Sequence, residues 1–120
     1  MATKSGSGNY VPDRGDVVAL SFDPQAGHEQ AGRRPAVVLS PAIYNAKSVL
    51  AVFAPVTSQV KSYPFEVLIP PGLAVGGVVL ADQLKSLDWR VRNVRYIASL
   101  PPEVLAEVLQ KVGLLLSIRS

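Results

Sequence analysis

Cysteine is missing altogether from this chain of 120 residues, and there is a single histidine, His28. The first absence excludes a disulfide framework, a thiol nucleophile and a thiolate metal site, and it fits a reducing compartment. The second excludes a two-histidine acid/base pair within one chain. No apolar run approaches the roughly 20 residues needed to span a bilayer, and no charged segment followed by an apolar one opens the chain as an export signal would. The expectation is a soluble, unexported, cytoplasmic protein with no membrane partner. Excess charge is small as well: a formal net charge of +3 and a pI near 9.5 are too little for a polycation that coats nucleic acid. The basic residues nevertheless cluster in Arg33/Arg34, Lys61, Lys85 and Arg90/Arg92/Arg95, which suits a local groove for phosphates.

What is present reads as one domain, long enough to bury roughly two-thirds of the surface its unfolded chain exposes. Residues 1–9 are Gly/Ser-rich without an apolar anchor and are expected to form a disordered tail. The folded domain is expected over 10–120. From Tyr10 onward, short runs rich in Val alternate with turn residues: 16–22, 36–40, 49–56, 65–69, 78–81 and 94–100. Asp23-Pro24, Ser40-Pro41, Tyr63-Pro64, Pro70-Pro71-Gly72 and Gly76-Gly77 punctuate them, and ten prolines argue against a helical protein. After Pro102 the period changes. Val104, Leu105, Val108, Leu109, Val112, Leu115 and Leu116 recur at i, i+3 and i+4, which predicts one amphipathic helix of about 16 residues. The fold class is mainly β: six short, mostly antiparallel strands in a small twisted barrel or half-barrel, closed by a C-terminal α-helix.

Three segments carry chemistry. Glu29-Gln30-Ala31-Gly32-Arg33-Arg34-Pro35 delivers two guanidinium groups from a Gly-bounded loop to the mouth of an apolar strand, and the planar, permanently charged guanidinium fork matches phosphate oxygens. The alternative is a pair of solvated surface arginines. Pro55-Val56-Thr57-Ser58-Gln59-Val60-Lys61 follows the most apolar run, so its hydroxyls, amide and ammonium emerge at the sheet rim; plain turn chemistry is the alternative for Thr57 and Ser58. Residues 80–89 alternate as a strand does, which puts Gln83 and Lys85 on the face opposite Asp82. For Lys61 and Lys85 the alternative is a solvated edge that discourages aggregation. Tyr44, Tyr63, Phe65 and Trp89 offer surfaces for stacking a base, with Phe65 and Trp89 better suited to the core or an interface.

These motifs, in the order Gly15-Asp16, Phe22-Asp23-Pro24, Glu29 to Val38, Pro55-Val56-Thr57-Ser58-Gln59, Tyr63-Pro64-Phe65-Glu66-Val67 and Ala81 to Asp88, resemble the MazF/PemK toxins of bacterial toxin-antitoxin pairs. The resemblance runs from Tyr10 to the C-terminal helix. It implies an SH3-like barrel and a sequence-specific, metal-independent endoribonuclease that cuts single-stranded RNA, mRNA included, and so inhibits translation and growth. It implies a homodimer, a MazE-like antitoxin as partner, and no cofactor or metal. Motif matching places the family's catalytic Arg on Arg34, its catalytic Thr on Thr57 and the loop's acidic residue on Glu29. Substrate-binding positions fall on Arg33, Ser58, Gln59, Lys61, Gln83 and Lys85.

Cutting RNA without metal uses the ribose 2′-OH as internal nucleophile, which also excludes DNA as substrate. Arg34 and the Thr57 hydroxyl suit charge stabilisation. A guanidinium with pKa above about 12 gives up its proton reluctantly, so Arg34 is assigned an electrostatic role, Glu29 is the candidate base and neighbouring His28 the alternative. Apolar residues on more than one face of the last helix, or strand edges near 42–52, offer surfaces for a two-fold pair. Two other functions share the fold class: a CcdB-like toxin that binds a protein target such as DNA gyrase, and a catalytically idle binding module, which has no need for the Arg34/Thr57 pair. An adhesion reading of Arg14-Gly15-Asp16 is discounted because the tripeptide sits where the first strand begins.

Overall fold

The computed structural model describes residues 9–22 and 33–117. Seven strands form one antiparallel arrangement: β1 (Asp16–Ser21), β2 (Arg33–Val38), β3 (Leu50–Thr57), β4 (Glu66–Leu68), β5 (Val78–Leu80), β6 (Lys85–Asp88) and β7 (Arg95–Ser99). The strand order is β4-β5-β3-β2-β1-β7, and β6 pairs with β3 on the edge that β5 also uses. The ladders described do not join β4 to β7. Among the described residues two α-helices, α1 (Ala42–Ser48) and α2 (Pro102–Leu116), and one 3₁₀ turn at Trp89–Val91 accompany the strands.

Alternation along the central strands feeds two separate cores. Val17 of β1, Val37 of β2 and Ala54 and Val56 of β3 pack with Val67, Val79 and the α2 residues Val104 and Val108. Their neighbours Val18, Leu20, Ala36, Val38, Ala51 and Phe53 point the other way and pack with Tyr10. A sheet buried on both faces explains why these strands read as near-continuous apolar runs. Pro55 falls in the gap where β3 changes partner, since β6 pairs with it through Phe53 and β5 from Val56. Although Pro55 is paired with Ala36 of β2, a residue without an N–H is tolerated because no ladder asks for one on this other edge.

Several expectations change. The stretch 42–52 is not a free strand edge: Ala42–Ser48 form α1, and Leu50 to Phe53 are paired with β6. Ser40-Pro41 opens that helix as a breaker does, and Val49 closes it with a left-handed φ of 58°. The arginine pair lies inside β2, opposite Leu20 and Ser21 of β1, and not in a loop that feeds the strand. The expected strand over 80–89 is split by a turn at 81–82 into the end of β5 and all of β6. Among the described residues the strands therefore number seven.

A buried polar knot ties the chain entry to α1. Asn45, fully buried, donates to the carbonyls of Pro12 and Ser40, at 2.7 and 2.9 Å, and accepts from the Ser40 hydroxyl at 2.6 Å. Asp16, 1% exposed, accepts from the Tyr10 hydroxyl at 2.7 Å. The Arg14 guanidinium donates to Leu39 O. With its aspartate buried and its arginine bound to the backbone, Arg14-Gly15-Asp16 cannot present an adhesion motif.

Candidate active site

The site grows from the ends of two central strands. In β2 burial stops at Ala36, and Arg34 stands exposed. In β3 the last residue is Thr57, half-buried. The ladder pairs Ala36 with Pro55, Val37 with Ala54 and Val38 with Phe53. Carried two residues further, the same register sets Arg34 across from Thr57. Both occupy the face that carries Ala36, Val38 and Phe53 into the second core, because side chains two apart share a face. Cross-strand partners hold their Cβ atoms about 5 Å apart, well within reach of an arginine.

The Thr57 hydroxyl is oriented by its own chain. Its oxygen accepts from the Gln59 N–H at 3.1 Å, a turn that leaves the hydroxyl proton to be donated elsewhere. The turn chemistry expected of Thr57 is thus present, and it is compatible with the functional reading. Beyond it, Ser58, Gln59 and Lys61 are all exposed. Tyr63, 58% exposed, follows them, whereas Trp89 is tied down by donating from Nε1 to Asn45 O at 2.9 Å.

Lys85, at the start of β6, pairs with Phe53 and so lies on the same face as Arg34 and Thr57. It stands four residues back along β3, about 13 Å away at the usual rise per residue. Gln83, exposed, sits two residues before it, just after the turn, with its N–H on Leu80 O. Arg33 behaves differently. Alternation turns it to the opposite face from Arg34, and its guanidinium reaches Asn93 O at 3.2 Å. Glu29 and His28 lie outside the described residues. Among the described residues, no three His, Cys, Asp or Glu side chains group as metal ligands.

The family described as PemK-like, MazF-like toxins of type II toxin-antitoxin systems matches residues 13–116. The chain belongs to this family. The endoribonuclease toxin MazF of Escherichia coli K12 is 48% identical over 107 residues, which cover 89% of this chain and 96% of that protein. Among solved structures, MazF from Deinococcus radiodurans superimposes with a TM-score of 0.82 at 58% identity, covering 92% of this chain and all of that one. A MazE-MazF complex from the same organism gives the same TM-score at 51% identity. For a MazF-like toxin, two residues absent from the motif assignments then stand out by geometry. Glu66 accepts from the backbone amides of Lys61 and Ser62. Gly77 packs against the Thr57 carbonyl so closely that a Cβ there would lie 2.1 Å from its oxygen. Glu66 lies in a quoted motif and Gly77 in a glycine pair read as turn punctuation, but the sequence assigns neither a role, and the closeness of Gly77 to Thr57 depends on the pairing of β3 with β5.

Proposed function

We propose that this chain is the toxin of a toxin-antitoxin pair, an endoribonuclease that cuts single-stranded RNA in the cytoplasm, acts as a homodimer and is neutralised by a MazE-like antitoxin. The close relationship to the named endoribonuclease supports the activity, and the MazE-MazF complex supports the partner. What supports the chemistry is the β2–β3 register, which pairs Ala36 with Pro55 and, extended by two residues, sets exposed Arg34 across from Thr57 at the strand ends.

In the reaction the ribose 2′-oxygen attacks the neighbouring phosphorus. Its proton passes to a base, the bond from phosphorus to the 5′-oxygen breaks, and that oxygen takes up a proton. The products are a 2′,3′-cyclic phosphate and a 5′-OH end, with no metal required. Arg34 supplies fixed positive charge to the phosphorane oxygens, and the Thr57 hydroxyl donates a hydrogen bond to the same charge. Fixed donors of this kind are worth about 3–4 kcal/mol each. Glu29, or His28 beside it, serves as base. Gln59 and Gln83 read base edges, Ser58 adds a hydroxyl, and Lys61 and Lys85 track phosphates. Arg33, assigned to the substrate-binding set, ties the start of β2 to Asn93 O while Arg34 faces the substrate.

The test is cleavage of a single-stranded RNA in excess EDTA, with the ends identified as cyclic phosphate and 5′-OH. The DNA analogue should remain whole. Arg34→Ala and Thr57→Ala should each slow cutting by about 10²–10³-fold while circular dichroism and antitoxin binding stay unchanged. A requirement for Mg²⁺, or full activity in Arg34→Ala, would refute the assignment.

A further inference from the structure

Gln59, assigned to reading a base edge, and Lys61, assigned to tracking phosphate, sit on a segment without regular secondary structure, and something must hold it in shape. Residues 59–63 belong to no helix or strand. Ser62 carries a left-handed φ of 62°, which disfavours an L residue unless its surroundings enforce it. The enforcing group is the Glu66 carboxylate. It accepts from Ser62 N at 2.8 Å, and both of its oxygens lie 3.2 Å from Lys61 N. Two successive amides converging on one carboxylate make a charge-assisted clamp at the far end of the segment that Thr57 begins.

The clamp is itself held from α2. Lys111 donates from Nζ to the carbonyl of Pro64 and to that of Glu66 at 3.3 Å. Glu107, one helical turn earlier, lies 3.8 Å from the same ammonium. A continuous path thus runs from α2 through the backbone of 64–66 and the Glu66 side chain to the amides of Lys61 and Ser62. We propose that Glu66 and Lys111 are positioning residues that preset the RNA-reading arm 57–62 without touching substrate. This rests on the endoribonuclease reading, and it excludes Glu66 as the proton-transfer group, because its carboxylate is occupied by the arm's own amides.

The test uses the full chain with Glu66→Ala, Glu66→Gln, Lys111→Met and the Glu66→Ala/Lys111→Met double variant. Each is assayed for kcat and KM on one short RNA and for base preference on a randomised pool. Loss of the carboxylate's charge-assisted bonds to both amides predicts a rise in KM of about tenfold or more for Glu66→Ala, broadened preference around the cut, and kcat within a few-fold. Glu66→Gln keeps a carbonyl oxygen to accept from the amides and should recover most of the loss. The double variant should be no worse than Glu66→Ala alone, since both act through one contact chain. Amide exchange at Lys61 and Ser62 should accelerate in Glu66→Ala whether or not RNA is cut, so failure of the nuclease reading and failure of the clamp are separable. The inference is overturned if Glu66→Gln loses kcat together with a limb of the pH-rate profile. It is equally overturned if unfolding temperature drops while KM and base preference stay as in the unaltered chain, or if the two lesions add.

Discussion

Adding one methyl group at Gly77 is expected to disable the site from behind. Gly77 has φ +106°, and a Cβ there would lie 2.1 Å from the Thr57 carbonyl oxygen, 2.9 Å from its carbon and 3.0 Å from Ser58 Cα. Contacts below 3.0 Å essentially never occur for real Cβ atoms, so the gap to the Thr57 oxygen has to open by about 0.9 Å (3.0 minus 2.1). Gly77 cannot simply retreat. Its carbonyl accepts from Ile69 N at 2.9 Å, and the next residue, Val78, is paired with both Thr57 and Leu68. The movement is therefore forced onto Thr57. Displacing a catalytic group by about 1 Å costs on the order of 10²-fold in rate, or about 2.7 kcal/mol of transition-state stabilisation. The unfavourable φ adds about 1–3 kcal/mol of lost stability, a fall in unfolding temperature on the order of 10 °C for a domain of this size. The assay is kcat on a short RNA at a temperature where Gly77→Ala remains folded by circular dichroism. Gly76→Ala is the control, because a Cβ there meets nothing within 4 Å. Cutting by Gly77→Ala within threefold of the unaltered chain, or an equal loss in Gly76→Ala, would refute the reasoning.

Two predictions concern stability. Asn45→Ala strips the buried knot of three hydrogen bonds and leaves the Pro12 and Ser40 carbonyls without that donor, which should cost about 2–4 kcal/mol in urea unfolding; a loss below about 0.5 kcal/mol would show that the knot is dispensable. Tyr10 has its phenol pushed well above its ordinary value by burial, by the hydrogen bond to Asp16 and by that carboxylate's charge. The unfolded chain releases this proton near pH 10 while the folded chain keeps it, so the contribution of Tyr10 is complete below about pH 10 and drains away as pH rises toward the folded value. Tyr10→Phe should lower stability by about 1 kcal/mol at neutral pH and flatten the alkaline loss. An unchanged alkaline slope would count against this account.

What could be read from the residues alone was whatever the chain settles locally. The apolar runs of β1, β3 and β7, the change of period at Pro102 and the punctuation at Pro70-Pro71-Gly72 are statements about neighbours in sequence, and they place most of the sheet and α2. α1 was missed because Ala42 to Ser48 is too short to show a helical period, and the apolar Ile43 and Tyr44 are exposed instead of facing a core. The start of β2 was placed three residues late because Arg33 and Arg34 look like loop residues. They belong to the strand through pairing with Ser21 and Leu20, which composition does not reveal.

The same division runs through the site. Arg34 and Thr57 stand out as polar groups at the ends of apolar strands, and their residue types suit charge stabilisation. Their relation follows from extending the β2–β3 register beyond Ala36 and Pro55, and that register follows from how the two cores claim alternate residues of β2 and β3. One residue of slip would send Arg34 to the opposite face, where alternation now puts Arg33, and bring Arg33 to the face of Thr57 in its place. The supporting groups are more distant still: Lys111 reaches Pro64 across 47 positions and Gly77 backs Thr57 across a strand pair. A sequence motif names the atoms that act, but those that fix the acting atoms in place are recruited from wherever the chain returns to the same strand end. The arm from Thr57 to Ser62 is preset because β3 ends there, β5 closes behind it and α2 grips the turn in front.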